Sequence, residues 1–362
     1  MSIEELKKIR DKISALDIEL LRLLNERASL SLAVGRLKSK SNDAVFKPFR
    51  EKEVLARLLS QNKGPLPDDH LKAIYREILS SSRRLQKPQT VVYLGPEGTF
   101  SYFAGVEFLG HSADFLPKNN LEDVFKAVAQ KKAELGIIPL ENSLQGSVGQ
   151  SLDLFLRFDV YIHAEIFCKI SHSLLSREED LSNVERVYSH PQALQQCSQW
   201  LNTRLPGVAI IPEESTARAA KRVVDEAKSA AIGHKRLAQK FDLNVLADGI
   251  EDLPDNWTRF LIISAAPPET GSHDKTSLVF TLPDRPGALV HVLQVLARKG
   301  INMKKLESRP LRMEKWKYVF FVDVECDLTT DAYKDMLEEL QHKCHTLRIL
   351  GSYPKGEYID FD

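Results

Sequence analysis

Stepping alternately three and four residues from Leu6, the chain reads Leu6, Ile9, Ile13, Leu16, Leu20, Leu23, Arg27, Leu30, Val34 and Leu37. All of these are apolar except Arg27. The spacing predicts one long helix that buries a stripe against a partner. Two shorter helical companions, predicted from about Phe49 and from about Asp68, cannot cover such a stripe, so intertwined dimerisation is the simplest way to bury it. A guanidinium inside the stripe needs an anion, and either a structural carboxylate or a ligand supplies it.

The chain is long enough for two or three domains. Its 50 Lys and Arg balance 50 Asp and Glu, so no global charge favours nucleic acid or an anionic membrane. Cys168, Cys197, Cys326 and Cys344 lie far apart, and their spacing suggests neither a zinc site nor a disulfide framework. No metal and no cofactor is called for. The charged start at Glu4, Glu5, Lys7, Lys8 and Arg10 reads as no leader, and no apolar run is of membrane-spanning length. A cytoplasmic protein is expected.

Composition divides the chain into three expected segments. Residues 1–88 are all helix, with breaks at Asn42–Pro48 and at Gly64-Pro65-Leu66-Pro67. Residues 89–266 alternate strand-like runs (Val91–Leu94, Gly136–Leu140, Val208–Ile211, Ala230–Gly233) with helical ones (Leu121–Lys132, Thr216–Glu226), as in an open-sheet α/β domain. The similar layouts of Leu121–Leu140 and Thr216–Gly233 suggest two lobes with a cleft between. A linker at Ala265–Ser272 leads to residues 275–355, whose order βαββαβ is ferredoxin-like.

Lys38 follows Arg27 by eleven residues, which returns it to within about 20° of the same helix face. Ser82 and Gln86 form an i, i+4 pair beside Arg83 and Arg84 on the third helix. The set suits a small dianion; the other reading makes Arg27 a register device and Lys38 a solvated charge. The stretch Arg10-Asp11-Lys12-Ile13-Ser14-Ala15-Leu16-Asp17, with Glu26-Arg27, Val34-Gly35-Arg36-Leu37-Lys38 and Arg50-Glu51, resembles the all-helical chorismate mutases. That resemblance implies that Arg27 and Lys38 hold the substrate carboxylates, that Arg10 enters from the other protomer, and that Lys38 and Gln86 face the breaking ether oxygen. It implies Ser82 for the ring carboxylate and Glu51, beside Arg50, for the ring hydroxyl. Lys47 departs from the acid that some members carry there.

In the middle segment Gly95-Pro96-Glu97-Gly98-Thr99-Phe100-Ser101 is a glycine turn before a helix, able to cradle an anion or simply to turn. Polar clusters follow at strand ends: Glu141-Asn142-Ser143, Ser189-His190-Pro191-Gln192, Ser215-Thr216 and Asn256-Trp257-Thr258-Arg259-Phe260. Taken singly, Ser143 and Ser215 read as helix caps, His190 as a cap or a satisfied surface histidine, and Thr258 as an ordinary strand edge. Together the five clusters resemble prephenate dehydratase. This implies a two-lobed fold like type II periplasmic binding proteins, with prephenate in the cleft. Thr99, Ser101, Asn142, Ser143, Ser189 and Thr216 are then expected to bind substrate, Thr258 to act on the leaving hydroxyl, Arg259 to hold a carboxylate and Phe260 to pack the wall. Gly233-His234-Lys235 departs from the small residues usual there.

The last segment carries Gly287-Ala288-Leu289-Val290 at a helix start and Glu307-Ser308-Arg309-Pro310 on a strand. Both resemble the phenylalanine-binding version of the ACT regulatory domain, which implies an effector bound between two such domains. The order of all three matches that of the bifunctional chorismate mutase/prephenate dehydratases, acting on chorismate and prephenate. The rival readings are a non-catalytic metabolite sensor and a dehydratase with a degenerate mutase segment.

Overall fold

A computed structural model describes residues 3–41, 45–269, 274–311 and 318–361. Contacts divide the chain into two compact units, one of the residues up to Gln89 with Leu109–Asp114, the other of Thr90–Phe108 with everything from Phe115 onward.

The first unit is helical: α1 (Ile3–Ser41), α2 (Pro48–Gln61) and α3 (Asp68–Gln86). Pro48 opens α2, where its missing N–H leaves no bond unmade. Asp68 and Asp69 begin α3 while Arg83 and Arg84 end it, each sign matching the helix dipole at that end. The expected break at Asn42–Pro48 lies partly outside the described residues. Gly35 sets how closely α1 and α3 approach, because a methyl there would meet Gln86 Cα at 2.7 Å and its carbonyl oxygen at 2.9 Å. The predicted seam stays open along α1: Leu16 is 68% exposed and Leu30 64%.

The second unit begins with a two-lobed α/β region. One lobe contains β1 (Thr90–Leu94), α4 (Phe100–Leu109), β2 (Asp114–Lys118), α5 (Leu121–Ala129), β3 (Leu135–Asn142), β4 (Gly146–Ser147), α6 (Gly149–Arg157) and β5 (Tyr161–Lys169). The chain then crosses to β6 (Ser173–Ser176), β7 (Arg186–Ser189), α7 (Pro191–Gln196), α8 (Ser198–Arg204), β8 (Ala209–Pro212), α9 (Thr216–Val223), β9 (Ser229–Gly233), α10 (Arg236–Phe241) and β10 (Asn244–Ala247). It returns as β11 (Trp257–Ser264), which lies between β3 and β5 and antiparallel to both. The second lobe's sheet has the order β10-β6-β9-β7-β8. Where the chain crosses between lobes, the Ile170 N–H donates to the Asn256 carbonyl at 2.8 Å, so the two connections pair. The expected linker at Ala265–Ser272 lies partly outside the described residues.

The last region is β12 (Lys275–Thr281), α11 (Ala288–Arg298), β13 (Met303–Pro310), β14 (Tyr318–Val324), α12 (Lys334–Lys343) and β15 (Thr346–Tyr353), in the order βαββαβ with the sheet arranged β13-β14-β12-β15. Alternation along the strands divides its two faces. Leu278, Phe280 and Val322 pack with Val292, Leu296 and Leu340 of the helices. Val279, Phe321, Leu350 and Tyr353 join the core built by Val92, Phe125, Phe155 and Leu261. A tail beyond the expected 275–355 segment adds β16 (Glu357–Ile359), parallel to β5 at the edge of the first sheet.

Candidate active sites

In the helical unit, Arg27 Nη1 donates to Ser82 Oγ, and Ser82 Oγ donates to the Ile78 carbonyl at 2.8 Å. Gln86, one turn on, donates from Nε2 to the Ser82 carbonyl at 3.2 Å, and its Oε1 is buried without a hydrogen-bond partner. Three of the expected residues therefore meet where α1 crosses α3. Among the described residues Arg27 has a hydroxyl for a partner and no carboxylate, so the structural carboxylate left open by the seam is not there. Lys38 is half-buried farther along α1. Arg10 is exposed and lies about 25 Å from Arg27 along the same helix.

Around α2 the picture differs. Glu51, expected to face a ring hydroxyl, is held by Arg83 Nη1 at 2.5 Å. Arg83 is buried, donates also to the Leu109 carbonyl and lies 5.8 Å from the Phe46 ring, so this pair ties α2 to α3. Arg50 is exposed with Glu53 at 3.9 Å, and Lys47 is half-buried just before α2.

In the two-lobed region Asn142 and Thr258 are cross-strand partners at the crossing end of the sheet. Asn142 Oδ1 accepts from the Leu144 and Gln145 N–H groups, each at 3.1 Å. That fixes which end of the amide donates, and Nδ2 reaches Asn256 Oδ1 at 2.7 Å and Thr258 Oγ1 at 3.0 Å. Because Thr258 Oγ1 accepts there, its own proton is left to be directed elsewhere. Thr258 is thus no strand edge but a buried member of a central strand. Ser143 is not a helix cap either: its Oγ accepts from the Trp257 N–H at 2.9 Å and donates to the Asp255 carbonyl at 3.3 Å.

The turn that carries Thr99 meets the helix that carries Thr216 across the lobes. A methyl at Gly98, beside Thr99, would meet Leu237 Cδ2 at 2.6 Å and Ala217 Cβ at 3.5 Å, so the glycine turn lies against the start of α9, where Thr216 sits. Thr99 Oγ1 donates to the Leu94 carbonyl at 2.9 Å, and Ser101 is buried in the first turn of α4. Ser189, at the end of β7, donates to the Ile232 carbonyl at 2.7 Å. His190 and Ser215 cap α7 and α9. His234 is buried against Phe100, Phe103 and Phe361. Burial keeps the His172 and His190 pKa values below the usual histidine range.

Arg259 is the expected substrate ligand that the structure turns away. Side chains alternate along β11, so Arg259 leaves the face opposite Thr258 and enters the regulatory sheet. Its guanidinium meets Asp323 at 2.6 Å, Glu165 at 2.7 Å and the Tyr353 hydroxyl at 3.1 Å. Lys275 joins them, 2.8 Å from Glu165 and 3.5 Å from Asp323. Burial alone would lower the Arg259 pKa, but Tyr353, Asp323 and Glu165 outweigh it and raise it. Burial would likewise raise Asp323, and Arg259 and Lys275 instead hold it below the usual carboxylate range. Phe260 is buried in the core. No motif marked Glu165, Lys275 or Asp323; the available signal was a carboxylate inside each of the apolar strands β5 and β14 and a lysine at the start of β12.

In the regulatory sheet Gly287, with φ of 81°, precedes Ala288, Leu289 and Val290 at the start of α11, a conformation that suits glycine. On the edge strand β13, Ser308 and Pro310 are exposed, while Glu307 and Arg309 face inward. Glu307 accepts from Ser147 Oγ, and Arg309 Nε meets Asp153 at 2.9 Å.

The fold and its sites define a multidomain enzyme with an attached regulatory module. Family models match in series: chorismate mutase type II over residues 9–87, prephenate dehydratase over residues 91–268 and the ACT domain over residues 276–339. A bifunctional chorismate mutase/prephenate dehydratase of Aquifex aeolicus is 43% identical over 358 residues, 98% of this chain and 99% of that protein. The prephenate dehydratase of Arthrobacter aurescens, solved with L-Phe, superposes with a TM-score of 0.68 at 34% identity, covering 74% of this chain and 90% of that one. A chain described as GqqA, a quorum-quenching acylase, gives a TM-score of 0.66 at 30% identity over 74% of this chain and 98% of its own. The chain belongs to the bifunctional chorismate mutase/prephenate dehydratase family.

Proposed function

We propose that the helical unit rearranges chorismate to prephenate, that the two-lobed region converts prephenate to phenylpyruvate, and that L-phenylalanine inhibits the second step. The match of three family models in series, with full-length relatives of the same two activities, carries this reading. The acylase neighbour covers only 74% of the chain, and the N-terminal mutase match favours the biosynthetic pair. These roles are assigned to residues 1–88, 89–266 and 275–355 respectively.

A Claisen rearrangement needs no nucleophile, only a compact conformer and positive charge where the ether oxygen gains electron density. Arg27 and Lys38 hold the two carboxylates, Ser82 the ring carboxylate's edge, and Gln86 with Lys38 faces the ether oxygen. Lys47 and Arg50 line the α2 side. The open stripe of α1 pairs with a second copy, which brings Arg10 of the other protomer to Arg27. Support comes from the exposed seam and from an Arg27 without a carboxylate. The oligomer is a homodimer or a multiple of it.

In the second reaction the ring carboxylate leaves as carbon dioxide, its bonding electrons complete the aromatic ring, and the ring hydroxyl leaves as water after taking a proton. Thr258 directs its O–H at that oxygen, held in place by Asn142. Thr99, Ser101, Ser143, Ser189 and Thr216 bind the substrate across the lobes. Phenylalanine binds at Gly287–Val290 and at the exposed side of β13. Among the described residues no helix is long and apolar enough to cross a membrane, and the enzyme works in the cytoplasm on small molecules.

The test is to give purified protein chorismate, follow its loss, and then read phenylpyruvate in alkali with and without phenylalanine. Both signals, the second suppressed by phenylalanine, are expected. Chorismate loss without phenylpyruvate would leave only a mutase, and neither signal would support a sensor.

A further inference from the structure

Two neighbouring residue pairs join β3 to β11 at the crossing end of the sheet: Asn142 with Thr258, and Glu141 with Arg259. Alternation sends the first pair to the catalytic side and the second into the regulatory sheet. There Arg259 is anchored on Asp323 of β14 at 2.6 Å. Glu141 is anchored on Lys305 of β13 at 3.0 Å. The two anchors are connected, since Arg259 also lies 3.8 Å from Glu141.

The anchors reach the strand that carries the effector motif. Lys305 Nζ lies 3.0 Å from Glu307 and donates to Ser147 Oγ at 2.6 Å. Ser147 pairs with Glu141 across β4 and β3, and the next pair is Gly146 with Asn142. The Arg259–Asp323 anchor is buried and has one favourable geometry, because leaving either member unpaired in the interior is costly. The partly exposed Glu141 is held by the geometry of its three-way contact with Lys305, itself tied to Glu307 and Ser147. A displacement of β13 or β14 therefore moves Glu141 and Arg259 as anchored points, each one residue from a member of the Asn142–Thr258 pair.

We propose that Asp323 and Lys305, both supplied by the regulatory domain, are positioning residues for the dehydratase, acting through Arg259 and Glu141 on the alignment of Thr258 with Asn142. This rests on the reading of Thr258 as the group that acts on the leaving hydroxyl. Regulation then needs no contact between effector and substrate. The effector changes the preferred placement of β13, and the two anchors carry that change one residue along two strands.

The test uses the full-length enzyme with Asp323→Asn, Lys305→Gln and Thr258→Ala, assayed with prephenate across phenylalanine concentrations and separately with chorismate. Misplacing a catalytic group by a fraction of an ångström lowers kcat by about ten-fold or more with little change in KM. Asp323→Asn and Lys305→Gln should show that split, a weakened response to phenylalanine and unchanged mutase turnover. Asp323→Glu should restore part of kcat. If Asp323→Asn melts cooperatively and binds phenylalanine yet keeps the parent kcat and inhibition, the proposal is wrong. If that variant does not fold, Lys305→Gln, on a half-exposed edge strand, decides by the same criteria. A Thr258→Ala enzyme with full dehydratase activity would instead remove the reading beneath it, which separates the two failures.

Discussion

Arg27 and Arg259 both interrupt apolar patterns, one on a long helix and one on a central strand, yet their surroundings are opposite. Arg259 is 4% exposed and meets Glu165, Asp323 and a phenol closely, with Glu141 at 3.8 Å. Arg27 is half-buried and, among the described residues, meets one serine hydroxyl. A guanidinium matched by its own chain is part of the scaffold. One presented with only a serine hydroxyl is ready for a ligand that brings its own negative charge. The two motif arginines that sequence reading treats alike therefore fall into different roles.

The largest expected effect is at Arg259. Replacing Arg259 by Met leaves Glu165 and Asp323 short of a cation, and a broken buried pair typically costs about 3–5 kcal/mol. Urea unfolding of Arg259→Met should show a loss of that order in the second unit. A loss below about 1 kcal/mol would mean that Arg259 is not held as described.

Next comes Thr258→Ala, which should lower phenylpyruvate formation by about a hundredfold to a thousandfold, the usual size for removing one oriented donor. Chorismate loss should be unchanged. Joint loss of both activities in a folded variant would contradict independent sites.

Along the seam, Leu16→Glu puts a charge into the stripe that α1 offers to its second copy. Sedimentation should show dissociation and chorismate turnover should fall with it, whereas prephenate conversion should persist. A variant that sediments like the parent would remove α1 from the interface.

The smallest effect is one of pH. His172 and His190 have pKa values depressed by burial in the folded chain, so the unfolded chain takes up protons more readily. Their contribution to stability is present above the unfolded value of about 6.5 and is lost as pH falls from there through the lower folded values. Unfolding midpoints at pH 7.5 and pH 5.5 should differ in that direction, and His172→Gln should reduce the difference.

Much of this architecture was legible before the structure. The 3-4 spacing of α1, the order of the five polar clusters and the βαββαβ pattern are local periodic signals, and each reports a face or a turn. The fate of Arg259 was not local. Its motif gives its neighbours in sequence, but which face of β11 receives the regulatory sheet depends on Val279, Phe321 and Tyr353 joining a core with Phe155 and Leu261. Lys305 and Asp323 belong to no motif. The partner of Glu51 was likewise not local, since Arg83, 32 residues away, pairs with one of its carboxylate oxygens. Taken singly, Thr258 reads as a strand edge, but the return of the chain after β10 places β11 between β3 and β5 and buries it.

Chorismate turnover by a folded Arg27→Met enzyme tests the central contrast most directly, with conversion of added prephenate as the internal control. An unchanged unfolding midpoint, prephenate conversion at the parent rate and chorismate turnover lowered by about a thousandfold are expected. Retained chorismate turnover, or loss that appears only together with loss of the fold, would contradict that contrast.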